Sequence, residues 1–296
     1  MKKIGFIVCL ICLNISCEDV IEVDLPSEQP RLIVEALLRV DINEDFIPVE
    51  VKVSSTNNFY EEIPVTSLES IIIIYEEYED NSIISTGFSS LTEKEPGTGI
   101  YFPNPNFSTD QRISTSVIER NFLYNLIIEH EGRKYIAQTK YVPAVPIIKL
   151  TQGDGTLFEE DETEVIISFK DNPEQDNFYI FDFDFGEFLV TDDEFYQGQQ
   201  FEFSFFYDRT FESGKELEIS ILGADKTFYN YMGQLVEQTG DLQGPFQTPV
   251  ATVRGNVFDI TELDNKDVFD NVGEPNIFPL GYFAIVQEYK NVLSIE

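Results

Sequence analysis

The chain has 296 residues, of which 54 are Asp or Glu and 19 are Lys or Arg, giving a formal net charge of −35. That balance argues against nucleic acid or an anionic lipid surface as a partner, because every approach would be repulsive. Disorder is excluded by 26 Phe and 14 Tyr among many Ile and Val, since disordered acidic segments are poor in such residues, and the length suits one large or two ordinary domains.

The N-terminus carries the first message. Met-Lys-Lys, an apolar run from Ile4 to Leu13 and the sequence Asn14-Ile15-Ser16-Cys17 lead directly into Glu18 and Asp19. A cationic start, a short apolar core and a small residue before the cut predict a signal peptide over residues 1–16, too short to cross a bilayer of ~30 Å. Cys17 at the cut makes this a bacterial lipoprotein signal: acyl chains on its thiol and new N-terminus would anchor the mature chain by ~0.8 kcal/mol per buried methylene. Cysteine usage agrees. Cys9 and Cys12 leave with the signal, so Cys17 alone remains and no internal disulfide can form. Cleavage also removes Lys2 and Lys3, taking the formal charge from −35 to −37.

Residues 17–30 are acidic, contain two prolines and lack a clean period, as expected of a tether. Strand signals begin at once after it. Arg31 to Val40 is a β-rich run, Val49, Val51 and Val53 alternate with polar residues, and Ile71 to Tyr75 is apolar enough to be buried on both faces. Tyr124 to Glu129 and Lys134 to Thr139 flank a hairpin turn at His130-Glu131-Gly132-Arg133, with Gly132 supplying the turn. This spacing predicts an N-terminal antiparallel β-sandwich, Ig-like or transthyretin-like, over 31–142. Val142-Pro143-Ala144-Val145-Pro146 is the expected connector.

A second β-rich domain is expected over 147–296. Its strands read as Glu164 to Lys170, Phe178 to Phe185, Phe201 to Tyr207, Glu216 to Leu222 and Tyr282 to Glu288. In Phe181-Asp182-Phe183-Asp184-Phe185 strict alternation places three Phe on one face. Phe201, Phe203 and Phe205 share a core-facing side, while Tyr196, Phe206 and Tyr207 are candidates for an outer contact surface. One helix is expected over 225–239, with Asp225 as N-cap, Gly240 as stop, and Phe228, Tyr231, Met232, Leu235 and Val236 on one apolar stripe.

Catalysis is hard to assemble from this inventory. His130 is the only histidine and sits beside a turn, where a solvated residue is the ordinary outcome. No GxSxG, HExxH or phosphate-cradling loop occurs, and no cysteine nucleophile survives lipidation. Two carboxylates could serve a glycosidase, but so many acidic residues make any pair non-specific. Calcium is raised by Asp192-Asp193-Glu194, by Asp182 with Asp184, by Glu159 to Glu162 and by Asp264, Asp267 and Asp270, none with EF-hand spacing. The expectation is no enzyme, no metal and no cofactor beyond the lipid at Cys17.

The start Cys17-Glu-Asp-Val-Ile-Glu-Val-Asp-Leu25, Leu32-Ile-Val-Glu-Ala36, Tyr124-Asn-Leu-Ile-Ile128 with Gly132 and Tyr135, Tyr229-Asn-Tyr231, Gly244-Pro-Phe-Gln-Thr-Pro249, Gly255-Asn256-Val257 and Leu280-Gly-Tyr-Phe283 occur in this order. Together they resemble the Bacteroidota domain-of-unknown-function family 4249, over essentially the whole mature chain. The resemblance implies a lipoprotein encoded beside a SusC-like TonB-dependent outer-membrane receptor, and it brings no catalytic residues. It implies that Glu18 and Asp19 begin an acidic export signal for the outer face of the outer membrane, although Val20 and Ile21 interrupt it. Gly255 enters as a turn or bulge residue, and Pro245 and Pro249 as loop stiffeners holding Phe246 as an aromatic anchor for a partner. The leading expectation is a non-enzymatic surface lipoprotein capping or flanking a SusC-like barrel during substrate capture or gating. A fixed extracellular subunit of a larger outer-membrane protein or lipoprotein assembly complex is the alternative, and a surface hydrolase the third reading.

Overall fold

Alternating apolar residues become strands almost wherever the sequence predicts them. The computed structural model describes residues 30–57, 66–159, 161–239, 252–261 and 278–296. In the first half these form β1 (Leu32–Val40), β2 (Val51–Ser55), β3 (Ser70–Glu79), β4 (Ser82–Glu93), β5 (Ile100–Pro103), β6 (Phe122–His130), β7 (Arg133–Thr139) and β8 (Tyr141–Val142). The second half contributes β9 (Ile147–Gln152), β10 (Thr163–Lys170), β11 (Phe178–Asp182), β12 (Phe188–Asp192), β13 (Gln200–Tyr207), β14 (Glu216–Ala224), α1 (Lys226–Thr239), β15 (Val257–Asp259) and β16 (Leu280–Ser294). Among the described residues the fold is mainly β with one α-helix, as the sequence predicts.

The first core is a sandwich. Leu32, Val34, Ala36, Leu38 and Val40 of β1 point inward, as do Val51 and Val53 of β2, and they meet Ile71 and Ile73 of β3 and Tyr124, Leu126 and Ile128 of β6. β4 turns the corner between the layers: Ser82 to Ser90 pairs with β3, and Leu91 to Glu93 pairs with β5. The β6–β7 hairpin closes through Glu131 at φ 50° and Gly132 at φ 71°, so both central residues take the left-handed conformation of a tight hairpin turn and not the glycine alone.

The second half stacks two further layers. Leu217, Ile219 and Ile221 of β14 and Phe181 and Phe183 pack against Val165, Ile167 and Phe169 of β10, in a separate small sheet ordered β13-β10-β9. The opposite face of β11, β14 and β16 carries Ile180, Leu222 and Ala224, covered by Phe228 and Met232 of α1. Asp225 caps that helix, its carboxylate accepting the Phe228 N–H at 2.7 Å.

β16 joins the halves. Its first part runs parallel to β1, from Leu280 beside Ile33 to Gln287 beside Val40, and its last part runs antiparallel to β14. Phe283 and Ile285 therefore lie in the first core, and Tyr289 and Leu293 pack on the second. β15 likewise pairs with β7, so the chain returns to the N-terminal sandwich after position 147 and the two cores do not divide where the sequence divides.

Several local expectations change. Only Ile71 and Ile73 of the Ile71 to Tyr75 run are buried; Ile72 and Ile74 point to the other face of β3 and are half-exposed. The Phe-Asp alternation holds inward through Phe183 and then stops, because Asp184 at φ 66° and Phe185 at φ 52° form a turn that turns Phe185 outward, 45% exposed. Tyr196 and Tyr207 are interior, not an outer surface: Tyr196 stacks on Phe201 at 4.7 Å, and the Tyr207 hydroxyl donates to the Phe183 carbonyl at 2.5 Å. Gly255 does not occupy a glycine-only φ. Its need is closeness, since a Cβ there would lie 1.5 Å from the Gly281 carbonyl oxygen.

Candidate interaction surface

The outer side of the sheet β4-β3-β6-β7 carries a patch of apolar residues among polar ones such as Ser90, Glu76 and Gln138, where an antiparallel sandwich normally presents mainly polar residues to water. Register places Ile72 between Ser90 and Ile127, and Ile127 beside Ile136, which is already buried, in one cross-strand row. The next row runs Phe88, Ile74, Asn125 and Gln138. Asn125 and Gln138 bond each other, the Gln138 amide donating at 2.7 Å, which pairs buried Asn125 with exposed Gln138 at the border of the apolar patch. Near the β4 tip the register slips between Glu77 and Tyr78, so Ile84 is an extra residue in the strand and Ile83 falls opposite Tyr78, on the same side as Phe88. Phe88 is 49% exposed, and Ile83 and Ile84 are more so.

A loop holds a second aromatic ring over this edge. Phe107, 40% exposed, meets Phe88 edge-on at 5.7 Å. The loop is fixed from below by buried Gln111, whose side-chain oxygen accepts the Ser90 N–H at 2.6 Å while its carbonyl accepts the Ser89 hydroxyl at 2.5 Å. Arg112 lies over the Phe46 ring at 3.8 Å and grips Asp110, holding that carboxyl down at about 2. A shallow cavity of about 510 Å³ opens beside Phe107, lined also by Phe102, Pro103, Pro105 and Arg112. Aromatic rings presented by a fixed loop beside an apolar sheet give a surface suited to another protein, because little side-chain or loop ordering remains to be done on contact.

The residues singled out from sequence lie elsewhere. Cys17, Glu18, Asp19, Pro245, Phe246 and Pro249 fall outside the described residues, as do Asp264, Asp267 and Asp270. His130 ends β6 at the hairpin turn. Asp182 is occupied by Arg39, which bridges it at 2.6 Å to Glu288 at 3.3 Å, with the Ser220 hydroxyl donating to Glu288 at 2.6 Å. Asp193 is buried and accepts the Asn177 N–H at 2.7 Å; its burial raises its pKa. Among the described residues no group of three or more His, Cys, Asp or Glu is arranged to hold a metal. No described helix is long and apolar enough to cross a membrane.

Several of the quoted motif residues that are described instead meet one another. Gly255 abuts Gly281, and the Asn256 side chain bonds Phe283 on both sides, donating to its carbonyl and accepting its N–H, each at 2.8 Å. Tyr231 of α1 packs on Tyr282 at 4.8 Å. A protein-family model described as "Domain of unknown function (DUF4249)" matches residues 18–266. The chain belongs to that family. No curated protein matches it. A crystal structure of the chicken interferon gamma receptor alpha chain is similar at 10% identity, covering 66% of this chain and 88% of that one, with a TM-score of 0.17 that gives the likeness no weight. Within this DUF4249 chain, then, the described marks at Gly255 to Val257, Tyr229 to Tyr231 and Leu280 to Phe283 belong to the scaffold. Sequence reasoning missed Ile72, Ile74, Phe88, Phe107 and Ile127; the signal that could have found them is the apolar Ile71 to Tyr75 run of β3 in a chain whose one described α-helix packs on β11, β14 and β16 instead.

Proposed function

We propose that the protein is a non-enzymatic surface lipoprotein of the outer membrane, anchored through Cys17, that partners a SusC-like TonB-dependent barrel in substrate capture or gating. The observation carrying the partner role is the apolar outer face of β3, β4 and β6, with Phe88 and Phe107 exposed above it. The Lys2-Lys3 start, apolar run and Cys17 support the anchor. An acidic body keeps such a protein soluble and off anionic lipid, leaving specific apolar contact as the means of docking.

The test is purification of the tagged chain from its native outer membrane in mild detergent, with mass spectrometry of what is retained, beside a chain carrying Ile74→Lys and Phe88→Lys. Both changes lie on the outer face and leave the cores intact. A single TonB-dependent receptor retained by the unaltered chain and lost from the variant is the expected result. Retention of an assembly barrel with several subunits would replace uptake by biogenesis, and equal retention by both chains would remove this face from the account.

A further inference from the structure

We propose that the free edge of β13 is a docking strand for an extended, basic segment of a partner, which adds to the small sheet as a fourth strand. This rests on the sheet geometry and the charge of the chain and does not depend on the membrane anchor.

The argument starts from hydrogen-bond direction. Asp171 donates its N–H to the Gln199 carbonyl at 3.0 Å, and Gly153 donates to the Glu164 carbonyl at 3.0 Å. Odd residues of β10 therefore turn their backbone groups toward β13, and even residues toward β9. Through the register, Phe201, Phe203, Phe205 and Tyr207 spend their backbone groups on β10. Gln200, Glu202, Ser204 and Phe206 aim theirs the other way, and those groups have no hydrogen-bond partner among the described residues. Four N–H and four C=O groups thus stand ready along one edge.

Other edges are guarded. β9 follows Pro146, carries Lys149 and is bulged opposite Ser168–Phe169; β15 has three residues; β12 lies against α1. β13 has eight residues, no proline, no bulge and one charge, Glu202, whose exposed carboxylate Lys149 meets from one side, so the acidity that faces a guest is mainly that of the whole chain. An acidic chain with so long an open strand avoids self-pairing by charge, and the same charge specifies the guest. Exposed Asp208 follows the strand, Glu202 shares its charge with Lys149 of β9 at 3.2 Å, and Arg209 is already engaged by Glu187.

Alternation then fixes the guest's chemistry. Along an added strand, every second side chain would lie beside Phe201, 37% exposed, and half-buried Phe203 and Phe205, at the rim of the second core. The intervening side chains would lie beside Gln200, Glu202 and Ser204. The occupant is an extended segment alternating apolar residues with Lys or Arg, about seven or eight residues long to match β13.

The experiment uses the full chain and a synthetic ten-residue peptide of alternating Lys and Val, with an alternating Glu and Val peptide as control. Hydrogen exchange should slow over residues 200–207 with the first peptide only, and binding should weaken with added salt. Glu202→Lys should weaken binding about three- to tenfold, and Ser204→Pro, which removes one outward N–H, about fivefold. The two variants act independently, so misfolding of the proline chain leaves the charge reversal as the decisive measurement. Absence of binding, equal binding of the Glu peptide, or protection elsewhere would overturn the proposal. So would a dimer seen by sedimentation without peptide and protected at 200–207, which would make the occupant a second copy.

Discussion

Replacing Asn256 by Ala should destabilise the protein far more than its place outside any strand suggests. Its side-chain amide donates to the Phe283 carbonyl at 2.8 Å and the Gln138 carbonyl at 3.0 Å, and its oxygen accepts the Phe283 N–H at 2.8 Å. It substitutes for a missing strand between β7 and β16. Gln138 is exposed, so water can replace that bond, whereas Phe283 is fully buried and its two backbone groups would lose their partner in the sandwich wall. One net hydrogen bond contributes ~1 kcal/mol and each buried orphan costs ~1–3 kcal/mol, so a partly relaxed site predicts a loss of ~2–4 kcal/mol. Urea unfolding followed by circular dichroism measures this as a lower midpoint at unchanged slope. Asn256→Asp should be at least as damaging, because a carboxylate keeps the acceptor but turns an oxygen toward two carbonyls. A loss under ~1 kcal/mol for Ala, or an Asp variant as stable as the unaltered chain, would refute the bridging role.

Four shorter expectations follow. The Tyr124 hydroxyl is buried without a hydrogen-bond partner, so Tyr124→Phe should be neutral or stabilise by ~1 kcal/mol in thermal unfolding; a clear loss would mean that an ordered water completes the site. Asp225→Ala should remove ~1 kcal/mol by unpairing the α1 N-terminus, and Asp225→Asn should restore most of it in the same assay. Stability should rise as pH falls from neutral toward ~5, because self-repulsion eases and Asp193, whose folded pKa is raised by burial, sheds its penalty on protonation. It should fall again below ~4, because Arg112 holds Asp110 at about 2, and hydrogen bonds led by those from Lys134 and the Leu157 N–H lower Glu129 and Glu162, so stability present above their unfolded values is lost through the folded ones; a profile flat to pH 3 would contradict these assignments. Cys17→Ser should move the chain from the detergent phase to the aqueous phase, and unchanged partitioning would refute the lipid anchor.

Much of the fold is legible because β-strands here obey local rules. Val49, Val51 and Val53 announce a half-buried strand, and the stripe through Phe228 and Met232 announces a helix on a sheet. The return of β16 is not legible. Its parallel pairing with β1 joins residues near the two ends of the chain, and nothing in Leu280 to Gln287 distinguishes that partner from any other strand. The φ reversal at Asp184 and Phe185 is hidden for a related reason: Phe-Asp alternation continues through the turn, and only Gly186 hints that the strand has ended. Gly255 and Gly281 look like turn residues, yet Gly255 is required where two backbones nearly touch, while Gly281 combines φ 95° with a prospective Cβ only 1.9 Å from the Val34 carbonyl oxygen.

The interaction surface was half legible, for a reason that bears on its role. A run such as Ile71-Ile72-Ile73-Ile74 satisfies an interior strand covered on both sides, and the inner side of β3 is covered by the sandwich. Its outer side is not covered by α1, which packs on β11, β14 and β16 instead. Leaving Ile72, Ile74 and Ile127 half-exposed forgoes burial worth ~25 cal/mol per Å² of apolar surface. Folding alone gives no return for that exposure, since polar residues would serve the outer side of an isolated sandwich equally well. A partner that covers the face accounts for both the composition of β3 and the fixed aromatic pair above it, and the Ile74→Lys and Phe88→Lys chain separates the two demands: a folded protein that no longer binds places the apolar run in association, and an unfolded one returns it to the scaffold.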